Sequence, residues 1–282
     1  MPPFFSVIIP TYNRKDFLKT SVDSVLNQTF QDFEIIIVDD GSTDHTVTLL
    51  TDYRGKGINY IFASHHGVSH ARNSGIRISR GNYIAFLDSD DRWDERKLEI
   101  MLQYIEEFPE ISIFHTEEIW YRKGKILKQK EKHKKYDGYI YQNCLPLCSI
   151  GMSTSVVKLS LFEKIGYFDE SLPACEDYDL WLRSCLNNKV KLIPQALTIK
   201  EGGREDQLSN QQGLDKYRIY SLEKMLNSGQ LNSLQRQETY NELINKCRIY
   251  ANGAIKRGKM DEADIYSDKI KKYNKHQITG EK

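Results

Sequence analysis

Three carboxylates crowd together at Asp88, Asp90 and Asp91, with only Ser89 between the first two. They follow residues 83–87 (Tyr-Ile-Ala-Phe-Leu), an apolar run that reads as a fully buried strand. Carboxylates are depleted in strands and costly to bury unpaired, so these belong just past the strand's C-terminal end. Hard oxygen ligands spaced as Asp88-x-Asp90 suit a divalent cation that keeps water and substrate phosphates in its shell. The same residues also suit a strand end followed by a helix capped by Asp91 or Asp94. A second acidic turn, Asp39-Asp40-Gly41-Ser42-Thr43-Asp44, follows another apolar run, and a third acidic pair stands at Glu176-Asp177. Tyr178 and Trp181, three residues apart, predict a helix opening near Glu176, where the macrodipole favours negative charge. Either carboxylate of that pair has the chemistry of a general base.

The elements that must position these groups alternate. Strands are expected at residues 4–10, closed by Pro10, and at 33–38, 58–62 and 83–87. Helical spacing joins Phe17, Val22, Val25 and Leu26 behind a cap at Asp16. A helix carrying Val47, Leu49 and Leu50 would be capped by Ser42 or Thr43, and a third would run from 71 to 79 with Gly81 ending it. Strands alternating with helices predict an α/β fold with a mostly parallel, doubly wound sheet. Thr11, Asp39 and Asp88 then fall after three strands along one edge, where such sheets bind ligands. The glycine fingerprint G-x-G-x-x-G and the Gly-Lys-Ser/Thr phosphate loop are both missing, so side chains and a metal are expected to hold a nucleotide here.

Length and composition narrow the classes. The 282 residues suffice for one large α/β domain with a smaller appendage. A net charge of +1 argues against a general nucleic-acid binder. The five cysteines, Cys144, Cys148, Cys175, Cys185 and Cys247, lack zinc-like pairing and read as reduced thiols of a cytosolic protein. His66 and His70 have metal-ligand spacing, but Gly67 interrupts the segment and no third ligand joins His65. The chain opens Met-Pro-Pro with no visible signal, and no apolar run nears the roughly 20 residues that cross a bilayer. Residues 122–135 set eight Lys or Arg against Glu131, which suits a solvated loop, an acceptor lid, or a patch facing anionic lipid head groups. Residues 144–155 lead into a strand at 155–158. From about Gly213 the spacing becomes helical: Leu222, Met225 and Leu226, then Leu243, Cys247 and Tyr250, then Ala263, Tyr266 and Ile270. Residues 251–263 resemble one tetratricopeptide unit, too little for an array, and the end from Lys275 reads as disordered.

Four segments in order, SVIIPTYNR, IIIVDDGSTD, ARNSGI and GNYIAFLDSDD, with CEDYDLWLR at 175–183, resemble family 2 glycosyltransferases of the GT-A fold. The resemblance runs over residues 5–210. It implies inverting transfer of a sugar from a UDP- or dTDP-sugar to an acceptor hydroxyl, in surface polysaccharide or lipid-linked glycan synthesis. By the same resemblance Asp90 holds Mn2+ or Mg2+ on the diphosphate, Asp88 bonds the ribose, and Asp39 reads the base. Pro10, Thr11 and Tyr12 shape the base pocket, with Arg14, Arg72 and Ser89 around the nucleotide and Met152 and Ser153 near the sugar. Asp177 is the implied general base, with Glu176 as the second choice. Where many members carry a late histidine, this chain has Arg204. The implied organisation is a catalytic domain at 1–212 (nucleotide-sugar half 1–91, acceptor half 92–212) and a helical extension at 213–282. The expected setting is cytoplasmic, with peripheral contact at the inner face of the membrane. Two rivals are a nucleotide-binding GT-A module without catalysis and an Asp-nucleophile phosphatase. The latter wants Thr or Val soon after the second Asp, where Asp91-Arg92-Trp93 stands.

Overall fold

The computed structural model describes residues 2–202 and 212–279. Phe5–Thr11 (β1), Phe33–Asp39 (β2), Ile58–Phe62 (β3) and Tyr83–Phe86 (β4) are joined through Lys15–Leu26 (α1), a 3-10 turn at Thr46–Tyr53, and Val68–Ile78 (α2). All seven residues of β1 are buried, as a strand covered on both faces requires. Alternate side chains feed two apolar layers. Ile8, Ile36 and Ile84 join the one under α2, and Val7, Ile9, Ile35 and Ile37 join the one under α1 and Lys97–Glu107 (α3).

The second half adds Asp91–Trp93 (β5), Ile113–Arg122 (β6), Lys125–Leu127 (β7), Ser155–Lys158 (β8) and Val190–Gly202 (β9). Its helices are Tyr141–Cys144 (α4), Leu159–Ile165 (α5) and Glu176–Cys185 (α6). One sheet runs β3-β2-β1-β4-β8-β6-β9-β5, with β7 paired to β6. The first four strands are parallel, as the alternation predicted. Beyond β4 the sheet becomes mixed: β8 is antiparallel to β4 and β6, β9 parallel to β6, and β5 antiparallel to β9. The β6–β9 register shifts on either side of Glu117, an irregularity of the kind that re-aims side chains beside a site.

Several local expectations change. The segment after the first acidic turn is a 3-10 turn, and Asp44 rather than Ser42 or Thr43 accepts the Thr46 N–H at 3.0 Å. Ser42 and Thr43 instead bond the backbone and side chain of Asn13, clamping the loop after β1 to the loop after β2. Asp91 opens β5 and caps nothing, whereas Asp94 accepts the Arg96 N–H just before α3. α2 ends at Ile78, and Gly81 serves close approach: a Cβ there would lie 2.5 Å from the Ser6 backbone nitrogen. Gly75 does the same for α2, since a Cβ would meet Ile8 Cγ2 at 2.7 Å.

Asp215–Asn227 (α7), Ser233–Lys256 (α8) and Met260–Thr279 (α9) complete the chain, so helix continues past Lys275, where disorder was expected. Asn232 and Gln235 form a reciprocal capping box at the start of α8. Leu222 and Met225 of α7 and Leu243 of α8 share one apolar cluster with Leu180 and Trp181 of α6. Among the described residues no helix is long and apolar enough to cross a membrane.

Candidate active site

The C-terminal ends of β2, β1 and β4 place Asp39, Thr11 and the acidic turn 88–91 side by side on one edge. Asp39 is fully buried. Its Oδ1 accepts the Ser42 N–H at 2.8 Å and its Oδ2 the Tyr60 O–H at 2.5 Å. Asp40 accepts the N–H groups of His66 and Gly67 at the entry to α2, and His65 Nδ1 lies 2.7 Å from its carboxylate. The His65 ring stacks on Tyr12 at 4.0 Å between centroids, which makes an exposed aromatic shelf beside Thr11. Pro10 and Thr11 are buried at the end of β1, and the Thr11 hydroxyl has no partner among the described residues. Arg14 stands before α1, with its guanidinium over the Phe17 ring. His65 stacks on Tyr12, His66 meets His70 edge-on, and no group of three or more metal-ligating side chains occurs among the described residues.

Arg72 is the central cation. The sequence allowed it to be a surface helix residue, yet it is 4% exposed on α2. Its Nη1 donates to Glu176 Oε1 at 2.6 Å and its Nη2 to Asp88 Oδ1 at 2.8 Å. Burial works against its charge, and the two carboxylates outweigh that, so it holds its proton more tightly than an ordinary arginine. Desolvation also works against the charge of the half-buried Asp88, but Arg72 and Lys200 keep its carboxyl below the usual range. Glu176 goes the other way: burial, reinforced by the charge of Asp177, prevails over Arg72 and raises it. Arg72 thus bonds two carboxylates at once, and Glu176, the second choice of base, is buried and paired.

Asp177 is the half-buried member of the pair, on the first turn of α6. Its Oδ1 accepts the Tyr178 N–H at 2.7 Å, and its Oδ2 lies 3.2 Å from Cys148 Sγ. Burial and the neighbouring Asp177 push the Cys148 thiol well up, which keeps the sulfur protonated and donating.

Around Asp91 lies a group that sequence reasoning largely missed. The buried Ser153 hydroxyl donates to Asp91 Oδ2 at 2.6 Å and accepts the Asp88 N–H at 3.0 Å. The Ser153 carbonyl receives Trp93 Nε1 and Lys97 Nζ at 2.8 and 2.7 Å. Lys97 is fully buried, and burial pulls its proton affinity well down. Lys200, near the end of β9, lies 3.6 Å from Asp91; despite burial, Asp91, Glu118, Asp88 and Asp177 raise its hold on the proton. Burial lifts Asp91 itself to about 6, with Lys200 opposing and Asp88 adding to the rise. Ser89 is buried, and its carbonyl lies 2.8 Å from the Ser21 hydroxyl of α1. Met152, named beside Ser153, is buried in the core. Arg204 lies outside the described residues. The one sequence signal for Lys200 was a lysine ending the apolar stretch Ala-Leu-Thr-Ile.

The donor chemistry can be matched to a divalent cation. Beside Asp88, whose Oδ1 accepts from Arg72, the acidic turn carries the half-buried Asp90 carboxylate, a hard oxygen ligand at the strand end. One or two carboxylates are what Mg2+ or Mn2+ uses when phosphates and water complete the shell. The residues present fit such an ion arriving with a diphosphate.

Residues 6–165 match the family described as Glycosyl transferase family 2. A Rickettsia bellii protein described as an uncharacterized glycosyltransferase is 36% identical over 198 residues, covering 68% of this chain and 28% of that protein. The Escherichia coli UDP-Glc:alpha-D-GlcNAc-diphosphoundecaprenol beta-1,3-glucosyltransferase WfaP is 34% identical over 183 residues, covering 63% of this chain and 68% of the enzyme. The chain spans about a third of the length of the first curated relatives it matches. Among solved structures, S. aureus TarS 1–349 in complex with UDP-GlcNAc superposes with a TM-score of 0.66 at 18% identity, over 96% of this chain and 92% of that one. The chain belongs to glycosyl transferase family 2 and has the GT-A fold.

Proposed function

We propose that the chain transfers a sugar from a UDP- or dTDP-sugar to an acceptor hydroxyl by direct, inverting displacement, in surface polysaccharide or lipid-linked glycan synthesis. The observation that carries this reading is the Arg72 bridge. One buried guanidinium joins the acidic turn after β4 to the Glu176–Asp177 helix start, 88 residues further along the chain. In this reading the bridge supports the donor side and the general base acting on one substrate, because it ties their two segments together. The wider division is part of the proposal: a catalytic unit at 1–212, with a nucleotide-sugar half at 1–91 and an acceptor half at 92–212, and a helical extension at 213–282.

Each residue then has one task. The base rests on the Tyr12–His65 shelf, and Asp39, already oriented by Ser42 and Tyr60, accepts from its ring N–H. Asp88 bonds the ribose, and Arg14 and Ser89 line the nucleotide. Asp90 would hold Mg2+ or Mn2+, and such an ion neutralises charge on a departing diphosphate. Asp177 takes the proton of the attacking hydroxyl at Oδ2, where the Cys148 thiol fixes the carboxylate's orientation. Glu176 is held by Arg72 and stands aside. WfaP uses a diphosphoundecaprenol-linked acceptor by its name, which supports a lipid-linked acceptor here.

A thermal-shift panel of UDP, dTDP, GDP, CDP and ADP, each with Mn2+ or EDTA, tests the donor site. Ligand at about 100 times its Kd stabilises by roughly 2.7 kcal/mol. UDP or dTDP should raise Tm in Mn2+, and the shift should vanish with EDTA and in Asp90→Ala. Asp177→Asn should keep that shift while transfer falls by about 10²- to 10⁴-fold. A chain indifferent to every nucleotide would overturn the assignment.

A further inference from the structure

The basic run forms a defined object. β6 runs outward past Glu118, turns at Lys123 and Gly124, and returns as β7. The return leg is pinned at its base. Gln129 donates to the Glu118 carbonyl at 2.8 Å, His133 packs edge-on against Trp120, and the buried Lys135 lies 3.3 Å from Glu118. Beyond those anchors everything faces solvent. Residues 122–134 carry seven exposed cations against the single Glu131, although the whole chain has a net charge of only +1. Among them stand two aliphatic side chains, Ile126 at 69% and Leu127 at 43% exposure.

We propose that this hairpin is a docking surface for an anionic lipid bilayer. Lysines alone would suit any polyanion or plain solvent. Exposed aliphatic side chains set among them suit head groups with acyl chains beneath, because a nucleic acid or a free anionic glycan gives Ile126 and Leu127 nothing to enter. The position adds to this. Trp120, Tyr121 and Arg122 pair with Lys200, Glu201 and Gly202, so the hairpin prolongs the strand pair that brings Glu118 and Lys200 to the site. Four residues of strand separate Glu118 from Arg122, roughly 13 Å. A docked tip holds the cleft within reach of a hydroxyl displayed just above the head groups. The surface stands on residues that the proposed transfer does not use.

The test is co-sedimentation of the whole chain with vesicles of phosphatidylcholine alone and of phosphatidylcholine with about 30% phosphatidylglycerol, at low and raised salt. The chain should bind the anionic vesicles alone and release as salt rises. Ile126→Ser with Leu127→Ser, which keeps every charge, should weaken binding about tenfold. Lys123→Glu with Lys125→Glu should abolish it, with the Tm of both variants unchanged. UDP shifts are read separately, so a chain that binds vesicles but not UDP keeps this surface and loses the donor assignment. Failure to bind anionic vesicles at low salt overturns the proposal. So does binding that the serine pair leaves intact and that heparin competes away, since that pattern describes a polyanion site.

Discussion

The acidic turns after β2 and β4 put the same kind of side chain on one sheet edge, yet they are satisfied by different donors. Asp39 and Asp40 receive the N–H groups of Ser42, His66 and Gly67 and the hydroxyl of Tyr60, with His65 alongside, all within 27 residues of chain. Asp88 and Asp91 depend on Arg72, Ser153 and Lys200, and Lys200 lies 109 residues beyond Asp91. Neutral donors bring no second buried ion with them, so the first turn is self-contained. The second is a mutual arrangement in which each ion makes the others tolerable, and losing one strands the rest.

The sharpest break should come from Arg72→Met. It leaves Asp88 and Glu176 without their shared cation, and chemical denaturation should show a loss of about 3–5 kcal/mol. A loss near that of an ordinary surface arginine would erase the contrast. Ser153→Ala comes next, because it takes the hydroxyl from Asp91 and the acceptor from the Asp88 N–H; the expected cost is about 1–3 kcal/mol by the same assay. Asp40→Asn should cost about 1 kcal/mol, since the amide oxygen still accepts one of the two N–H groups at the entry to α2. The smallest effect is a tilt in pH dependence. Asp91 binds its proton at about 6 in the fold against an ordinary 3.8, so its contribution is present in acid and lost as pH rises through about 6. Asp91→Asn lacks that loss, so its Tm relative to wild type should climb by a few degrees between about pH 5 and about pH 7. A flat difference would mean that Lys200 neutralises Asp91 throughout.

The same contrast explains what could be read ahead of the structure. Strands β1, β2 and β4 were legible because burial on both faces demands continuous apolar runs, and Asp39 and Asp88 because they end those runs. The start of α6 was legible from the spacing of Tyr178 and Trp181. The mixed half of the sheet was not, since the short strand β8 enters from a loop and says little about its direction. Lys97 and Lys200 were not legible either. The buried Lys97 and the half-buried Lys200 look like any lysine until their partners arrive from 56 and 109 residues away. Cys148 is the same case: nothing within its own stretch points to Asp177.

The seam between α6 and α7 sets a limit on how this chain can be recombined. Lys224 of α7 bonds Asp169 at 2.7 Å and reaches Asp179 of α6 at 3.1 Å, and the two helices share one apolar layer. The family match ends at residue 165, before the helix that carries Asp177 begins. A chimera that exchanges residues 6–165 for those of a relative would inherit the nucleotide edge whole. The proposed base, Asp177, would then ride on a helix foreign to the incoming segment, held in register only if that segment supplied a cation at the Arg72 position to meet Glu176. The natural exchange unit therefore reaches to the end of α7 at least, and a chimera cut at residue 165 should fail first in turnover, with nucleotide affinity largely kept.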